Sequence, residues 1–332
     1  MLEHGGELAA AIARHAHPAA HWIDLSTGIN PHAYPVAAPP AAAWQRLPEH
    51  DPALAAAAQR YYGSDALIAV AGSQAAIQAL PAVIRAERVG IVHPSYAEHA
   101  HAWRHRTARA LAADAIDAAV DTLDALLLVH PNNPTGARWP TAQLRDWHRR
   151  LARRGGTLIV DEAFIDATPE HSLTADAGAP GLIVLRSLGK FFGLAGARVG
   201  FVFGDAPLRA ALAEQLGPWT VSGPAQHAAR QALDDLEWQR KMRTRLITEG
   251  AQLGDLLARH GASAARGTAL FRWVPTQDAR AWHAHFTAHA LLVRAFDTPP
   301  ALRLGLPPDA AAWQRLDTAL AAGRAAGLRL AP

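Results

Sequence analysis

The sequence predicts an α/β fold: a three-layer αβα large domain around a mostly parallel sheet, followed by a smaller α+β C-terminal domain. Three observations lead there. Short apolar runs alternate with longer stretches of helical pattern as far as about residue 205, as expected of strands buried on both faces. Beyond that point the alternation gives way to long helical stretches and then to strand-like segments close together. The chain has 332 residues, about twice a typical domain, so two units fit.

Residues 1–40 read as an irregular N-terminal arm, because the stretch 28–40 holds too much proline for a long helix. The large domain is expected over 41–215 and the small one over 216–332. A helix opens at Asp51 as N-cap, with Pro52 in its first turn and Gly63 at its stop. Apolar runs at 66–70, 89–94, 124–131, 156–164, 181–187 and 197–204 read as strands. Between them, helices are expected from Gly72 to about Ile84 and over 141–155. The segment 206–217 reads as helix, and the stretch from Pro224 to His260 reads as one long helix. Runs at 268–275, 291–296 and 301–306 look like strands of the smaller unit, and 311–327 is the last helix.

Composition narrows the function. Half the residues are apolar and 18% are charged, a globular balance. Lys plus Arg total 32 against 29 acids, so the net charge of +3 gives no footprint for nucleic acid or an acidic membrane. The absence of cysteine excludes disulfides, thiolate nucleophiles and Cys-metal sites. No apolar run is long enough to span a bilayer. The start of the chain lacks the basic and apolar regions of a signal peptide, so a cytoplasmic protein is expected. Of the basic residues only Lys190 and Lys241 are lysines. An amine can lose its proton and attack a carbonyl, whereas guanidinium stays charged.

Four motifs fall at the ends of expected strands, where open parallel sheets place ligands. Gly72-Ser73-Gln74 opens a helix and offers backbone N–H groups to a phosphate. Asn133, in His130-Pro131-Asn132-Asn133-Pro134-Thr135-Gly136, can donate to an oxygen above the strand ends. Asp161, in Val160-Asp161-Glu162-Ala163-Phe164, puts a carboxylate at a strand tip. Lys190 lies in Ser187-Leu188-Gly189-Lys190-Phe191-Phe192-Gly193, with Arg198 further on, and these apolar neighbours favour its neutral amine. A Walker A loop is excluded because Phe191 follows Gly-Lys. A penicillin-binding pattern is excluded because neither lysine precedes Thr-Gly. His101 with His105, and His285 with His289, stand at helical i, i+4 spacing; in a chain of 18 histidines this is read as chance, and no metal is assigned.

In this order the motifs resemble the fold-type-I pyridoxal 5′-phosphate enzymes, the aspartate aminotransferase superfamily, over nearly the whole chain. The resemblance implies that Lys190 carries the cofactor covalently and that Asp161 pairs with its pyridine nitrogen. It implies Asn133 on the phenolic oxygen, and Tyr96, from His93-Pro94-Ser95-Tyr96, stacked on the ring. The phosphate would lie on the amides of Gly72, Ser73 and Gln74, with Ser187 and Arg198. Phe164 stands where a Tyr is usual, so one hydrogen bond to the phenolic oxygen is absent. Within the superfamily the chain is most similar to the histidinol-phosphate aminotransferase group, and there to the L-threonine-O-3-phosphate decarboxylases of cobalamin biosynthesis. The residues that carry this are His4-Gly5-Gly6, Asp24 to Pro31, Asp161 to Asp166, and Lys190 to Gly196. The likeness implies substrate contacts at His4, Asn30, Arg294 and Arg303, with Arg303 on the α-carboxylate and Arg294 on the phosphate side. The implied reaction converts L-threonine O-3-phosphate to (R)-1-amino-2-propanol O-2-phosphate and CO2. A histidinol-phosphate-type aminotransferase is the alternative. A homodimer acting on a small phosphorylated amino acid is implied, with no nucleic-acid or membrane partner. Two positions depart from the pattern: Gly28 replaces a frequent Asn, and Leu47 replaces a Tyr that reaches across the dimer.

Overall fold

Runs of Val, Ile and Leu bounded by Gly, Pro, Asn and Asp become strands in the computed structural model, which describes residues 4–15 and 17–331. The strands are numbered β1–β13 along the chain. Seven form the sheet of one unit, made of residues 33–133 and 137–243. They are β2 (Leu67–Val70), β3 (Arg88–Val92), β4 (Thr107–Leu111), β5 (Ala125–Val129), β6 (Thr157–Asp161), β7 (Leu182–Ser187) and β8 (Gly200–Phe203). Their order is β2-β8-β7-β6-β5-β3-β4. The strands from β3 to β7 run parallel, and β8 is antiparallel to both β7 and β2. The sheet is thus mostly parallel, as expected.

Every residue of β5 and β7 is buried. That explains why these strands read as continuous apolar runs rather than alternating ones. Ile77 and Leu80 of the helix Gly72–Val83 pack in one cluster with Val89, Leu127 and Leu185 from the sheet. The helix Pro52–Tyr62 starts and stops as the sequence requires. Asp51 accepts from the Ala53 N–H at 2.9 Å, and Gly63 ends it at φ +74°, a left-handed value that suits glycine.

The second unit holds residues up to 32, 134–136 and 244 onward. Its sheet runs β12-β13-β10-β9, from β9 (Arg266–Gly267), β10 (Phe271–Pro275), β12 (Arg294–Asp297) and β13 (Pro300–Gly305). All of its pairings are antiparallel. A short parallel pair joins β1 (Ile23–Asp24) to β11 (Leu291–Leu292).

These groupings differ from the expected boundaries at 40 and 215. Residues 23–25 join the C-terminal unit because Leu25 N–H donates to the Leu292 carbonyl and Gly305 N–H to the Leu25 carbonyl. Residues 216–243 join the large unit because the helix Gly223–Asp234 packs on Pro52–Tyr62. The single long helix expected from Pro224 to His260 is two, Gly223–Asp234 and Leu236–Arg259. Asp235 breaks it: its carboxylate accepts from the Trp238 N–H at 2.9 Å, the geometry of an N-cap. The arm is not wholly irregular, since Leu8–Arg14 is helical.

Candidate active site

The carboxyl ends of β2, β3, β5, β6 and β7 share one edge of the sheet. The first residues of antiparallel β8 lie at the same edge, opposite the ends of β2 and β7. Ser73, Gln74, Tyr96, Asn133, Asp161, Ser187, Lys190 and Arg198 together line one cavity there. Gly72 adjoins it. Its φ is +71°, and a Cβ there would stand 2.5 Å from Arg198 Nη2, so only glycine lets the guanidinium approach. Arg198 is itself left-handed at φ +54°, an unusual conformation for a residue with a side chain. It is braced by a bond from Nη1 to the Ala195 carbonyl at 3.2 Å. Backbone amides, a hydroxyl and a guanidinium thus converge where a phosphate fits.

Asp161 is 3% exposed. Its Oδ1 accepts from the Ala163 N–H at 3.0 Å, and its Oδ2 is 2.9 Å from His99 Nε2. His99 is fully buried, and its Nδ1 has no partner among the described residues. The ring therefore meets the carboxylate through Nε2 alone. Asp161 is therefore a buried carboxylate with a donor on each oxygen, and a cationic ring nitrogen would complete its surroundings. Sequence reasoning missed His99, which is one histidine in a His-rich segment. The ring of Tyr96, 5.9 Å from that of His99, was the nearest available signal.

The cavity wall is tied together by side chains. Tyr96 donates to Gln74 Oε1 at 3.1 Å, and Gln74 Nε2 donates to Glu98 at 2.8 Å. Asn132 bonds both Ser95 and the Pro94 carbonyl, which joins the loop after β3 to the one after β5. Lys190 Nζ sits 5.3 Å from the centre of the buried Phe164 ring. The position that lacks a hydroxyl thus flanks the amine with a ring face.

Behind the cavity lies a buried ionic cluster. Arg186 reaches Glu162 at 3.2 Å and Asp166 at 2.5 Å, and Asp166 also accepts from Tyr61. Burial pushes the Glu162 carboxyl up to about 6, against the pull of Arg186.

The C-terminal unit carries the expected substrate residues. Arg294 and Arg303 are directly opposite each other on β12 and β13. Like charges so placed repel, and Arg303 is only 2% exposed, so an anionic ligand would relieve the pair. Arg294 and His4 line one cavity with Ser26. The His4-Gly5-Gly6 segment is fixed by Ser26. Gly6 N–H donates to Ser26 Oγ at 2.8 Å, and a Cβ on Gly5 would collide with the Ser26 carbonyl. Arg303 donates to that same carbonyl. Asn30 does not line this cavity; it is buried, and its Oδ1 closes a turn by accepting from the His32 N–H at 2.8 Å. Gly28 is left-handed at φ +64°, a conformation that glycine and asparagine both tolerate.

An α/β sheet with a phosphate cradle, a buried carboxylate and a lysine at its carboxyl edge defines a pyridoxal-phosphate-type transferase fold. The chain belongs to the aminotransferase class I and II family, whose model matches residues 21–316. It is 54% identical over 322 residues to a threonine-phosphate decarboxylase of Pseudomonas aeruginosa, covering 96% of this chain and 97% of that one. It is 40% identical to a threonine-phosphate decarboxylase of a Sinorhizobium species, covering 96% and 98%. Among solved structures, histidinol-phosphate aminotransferase from Sinorhizobium meliloti in complex with pyridoxal 5′-phosphate superposes with a TM-score of 0.73 at 21% identity, covering 89% of each chain.

Proposed function

We propose that the protein is a pyridoxal-phosphate-dependent carboxy-lyase that decarboxylates L-threonine O-3-phosphate to (R)-1-amino-2-propanol O-2-phosphate, a step of cobalamin biosynthesis. The Arg294–Arg303 pair suits a substrate with two anionic groups. The 2-oxoglutarate that a histidinol-phosphate aminotransferase also binds carries two carboxylates, so the arginine pair admits both reactions and the relatives decide between them. The observation that carries this reading is identity of 54% across nearly the full length of a threonine-phosphate decarboxylase.

The residues fit the cofactor. Lys190 would hold it covalently, Asp161 its ring nitrogen and Asn133 its phenolic oxygen. Tyr96 would cover the ring face, while the amides at Gly72, Ser73 and Gln74, with Ser187 and Arg198, would hold its phosphate. When bound, pyridoxal 5′-phosphate supplies an aldehyde for the substrate amine and a ring that withdraws electrons from Cα. The chain's own residues do the rest. Arg303 takes the α-carboxylate through its planar fork, and Arg294 and His4 take the phosphate. Asp161, held by donors on both oxygens, would face the ring nitrogen. The bond from Cα to the carboxylate breaks, CO2 leaves, and the electron pair stays behind. Lys190 Nζ then returns a proton to Cα.

The active form is a homodimer in the cytoplasm; no helix among the described residues is long and apolar enough to cross a membrane. The test is incubation of the cofactor-loaded protein with L-threonine O-3-phosphate. CO2 should be released stoichiometrically with a phosphorylated amino alcohol identified by mass spectrometry, and without 2-oxoglutarate. Oxoglutarate-dependent turnover of histidinol phosphate, with no CO2, would reverse the assignment.

A further inference from the structure

Ser26 is 3% exposed, and every polar group it has is engaged. Its N–H donates to Asp24 Oδ1 at 2.8 Å, which closes an Asx turn. Its hydroxyl donates to the same oxygen at 2.6 Å. A hydroxyl has one proton to give, so with that proton on Asp24 the lone pairs of Oγ are left to accept. The Gly6 N–H meets them at 2.8 Å. The Ser26 carbonyl accepts from Arg303 Nη2. One buried residue thus bonds the arm through its side chain and Arg303 through its backbone.

The turn is itself anchored. Leu25 N–H donates to the Leu292 carbonyl at 2.8 Å, and the Leu25 carbonyl accepts from the Gly305 N–H at 2.6 Å, so the turn is held by β11 and β13. The arm lies flat on it. A Cβ on Gly5 would stand 2.4 Å from the Ser26 carbonyl, and one on Gly6, at φ +89°, would stand 3.2 Å from Thr27 Cγ2. Two adjacent glycines permit that approach but bring no stiffness of their own. The Gly6–Ser26 bond fixes this link between His4 and the helix Leu8–Arg14. His4, Gly6, Ser26 and Arg294 line one cavity of about 210 Å³.

We propose that Ser26, braced by Asp24, is the positioning residue that gives the site its preference for a phosphorylated substrate. Its hydroxyl holds the arm so that His4 reaches the phosphate, and its carbonyl steadies Arg303 for the carboxylate. This rests on the reading that His4 takes the phosphate and Arg303 the carboxylate. The two ends of the substrate are then served by different atoms of one residue, so a change at Oγ alone acts on the phosphate side.

The experiment compares the cofactor-loaded wild type with Ser26→Ala, Asp24→Asn, His4→Ala and the double variant Ser26→Ala/His4→Ala. Ser26→Ala removes the hydroxyl and keeps the carbonyl, so it releases only the arm. Hydrogen exchange at the Gly6 amide, read by mass spectrometry on the N-terminal peptide, should speed up about tenfold, as for the loss of one hydrogen bond. Calorimetry with inorganic phosphate should show binding weakened about tenfold by Ser26→Ala and by His4→Ala. The double variant should lose no more than either, because His4 no longer reaches the anion once the arm is free. Asp24→Asn keeps an oxygen for both Ser26 donors and should follow the wild type in exchange and in phosphate binding. The ratio of kcat/KM for L-threonine O-3-phosphate to that for threonine should fall about tenfold in Ser26→Ala. Unchanged exchange in Ser26→Ala would overturn the proposal, and so would phosphate losses that multiply in the double variant or a substrate ratio that does not move. Coupled loss of phosphate binding at Ser26 and His4, in a protein that does not decarboxylate threonine phosphate, would keep the latch and reject the reaction.

Discussion

His99 shows how much of this site is decided by a single side chain that meets no ligand. Asp161 has donors on both oxygens, and only one of them, His99 Nε2 at 2.9 Å, is a side chain. Removing it leaves a buried carboxylate with a cavity beside it, free to rotate. His99→Ala should therefore lower kcat roughly tenfold, the worth of one such hydrogen bond. It should also shift the visible absorbance of the bound cofactor, because the charge opposite the ring nitrogen is no longer fixed. Gln places an amide nitrogen near where Nε2 stands, so His99→Gln should recover most of both properties. If the Ala and Gln variants match in spectrum and rate, His99 does no more than fill space.

At the scale of the element, β6 and β7 each end on a cavity-lining residue next to a buried charge: Asp161 beside Glu162, and Ser187 beside Arg186. Glu162 and Asp166 share Arg186, so the ends of the two strands are joined by ion pairs behind the cavity. The pH dependence of this device has a definite sign. Burial raises the Glu162 carboxyl from 4.5 to about 6 in the folded protein. Its contribution to stability is full below about 4.5 and is lost as pH rises through about 6, a change of about 2 kcal/mol. Glu162→Gln cannot titrate. Urea unfolding at pH 4.5 and 6.5 should show the wild type losing between about 1 and 2 kcal/mol more than the variant as pH rises, and a gap that does not move with pH would exclude the mechanism. This cluster also shows why some of the molecule was legible in the sequence and some was not. Asp161 stood out because it ends the apolar run of β6 at the strand tip, where a polar residue needs a reason. The partners of Arg186 sit 24 and 20 residues away, on no shared period, and His99 meets Asp161 across 62. Contacts of that kind depend on the fold, which local pattern does not encode. The break at Asp235 was missed for the opposite reason: helical pattern runs on through it, and only the side-chain cap at Trp238 ends it. The arginine pair was legible as two residues in two strand-like runs, but their cross-strand register was not.

At the scale of the whole molecule, the large unit leaves apolar side chains uncovered. Trp44 is 69% exposed, Leu47 64% and Trp219 56%, while Trp103 and Trp147 of the same unit are fully buried. The cavities beside Leu47 and beside Trp219 share Pro48, Glu49, His50 and Asp51 in their walls, so Leu47 and Trp219 belong to one continuous face, and Trp44 stands three residues before Leu47. Trp219 holds a left-handed backbone at φ +61°, a strain of about 1 kcal/mol or more that persists where something outside the local chain rewards it. Large exposed aromatics on one face mark an association surface, and at such surfaces tryptophan tends to dominate the binding energy. A second copy of the chain is the occupant proposed above, and it would make Leu47 intelligible: an apolar side chain there would pack against a partner although it donates nothing to a phosphate. Trp44→Glu puts a charge at the most exposed of these positions. Light scattering at micromolar concentration should find the wild type at twice the mass of the chain and the variant shifted toward a monomer, with dimerisation weakened about thirtyfold or more, as for the loss of a 2 kcal/mol anchor. The circular dichroism of the variant should match the wild type, since so exposed a side chain contributes little to the core. A wild type that runs as a monomer across that concentration range would mean that this face serves another purpose.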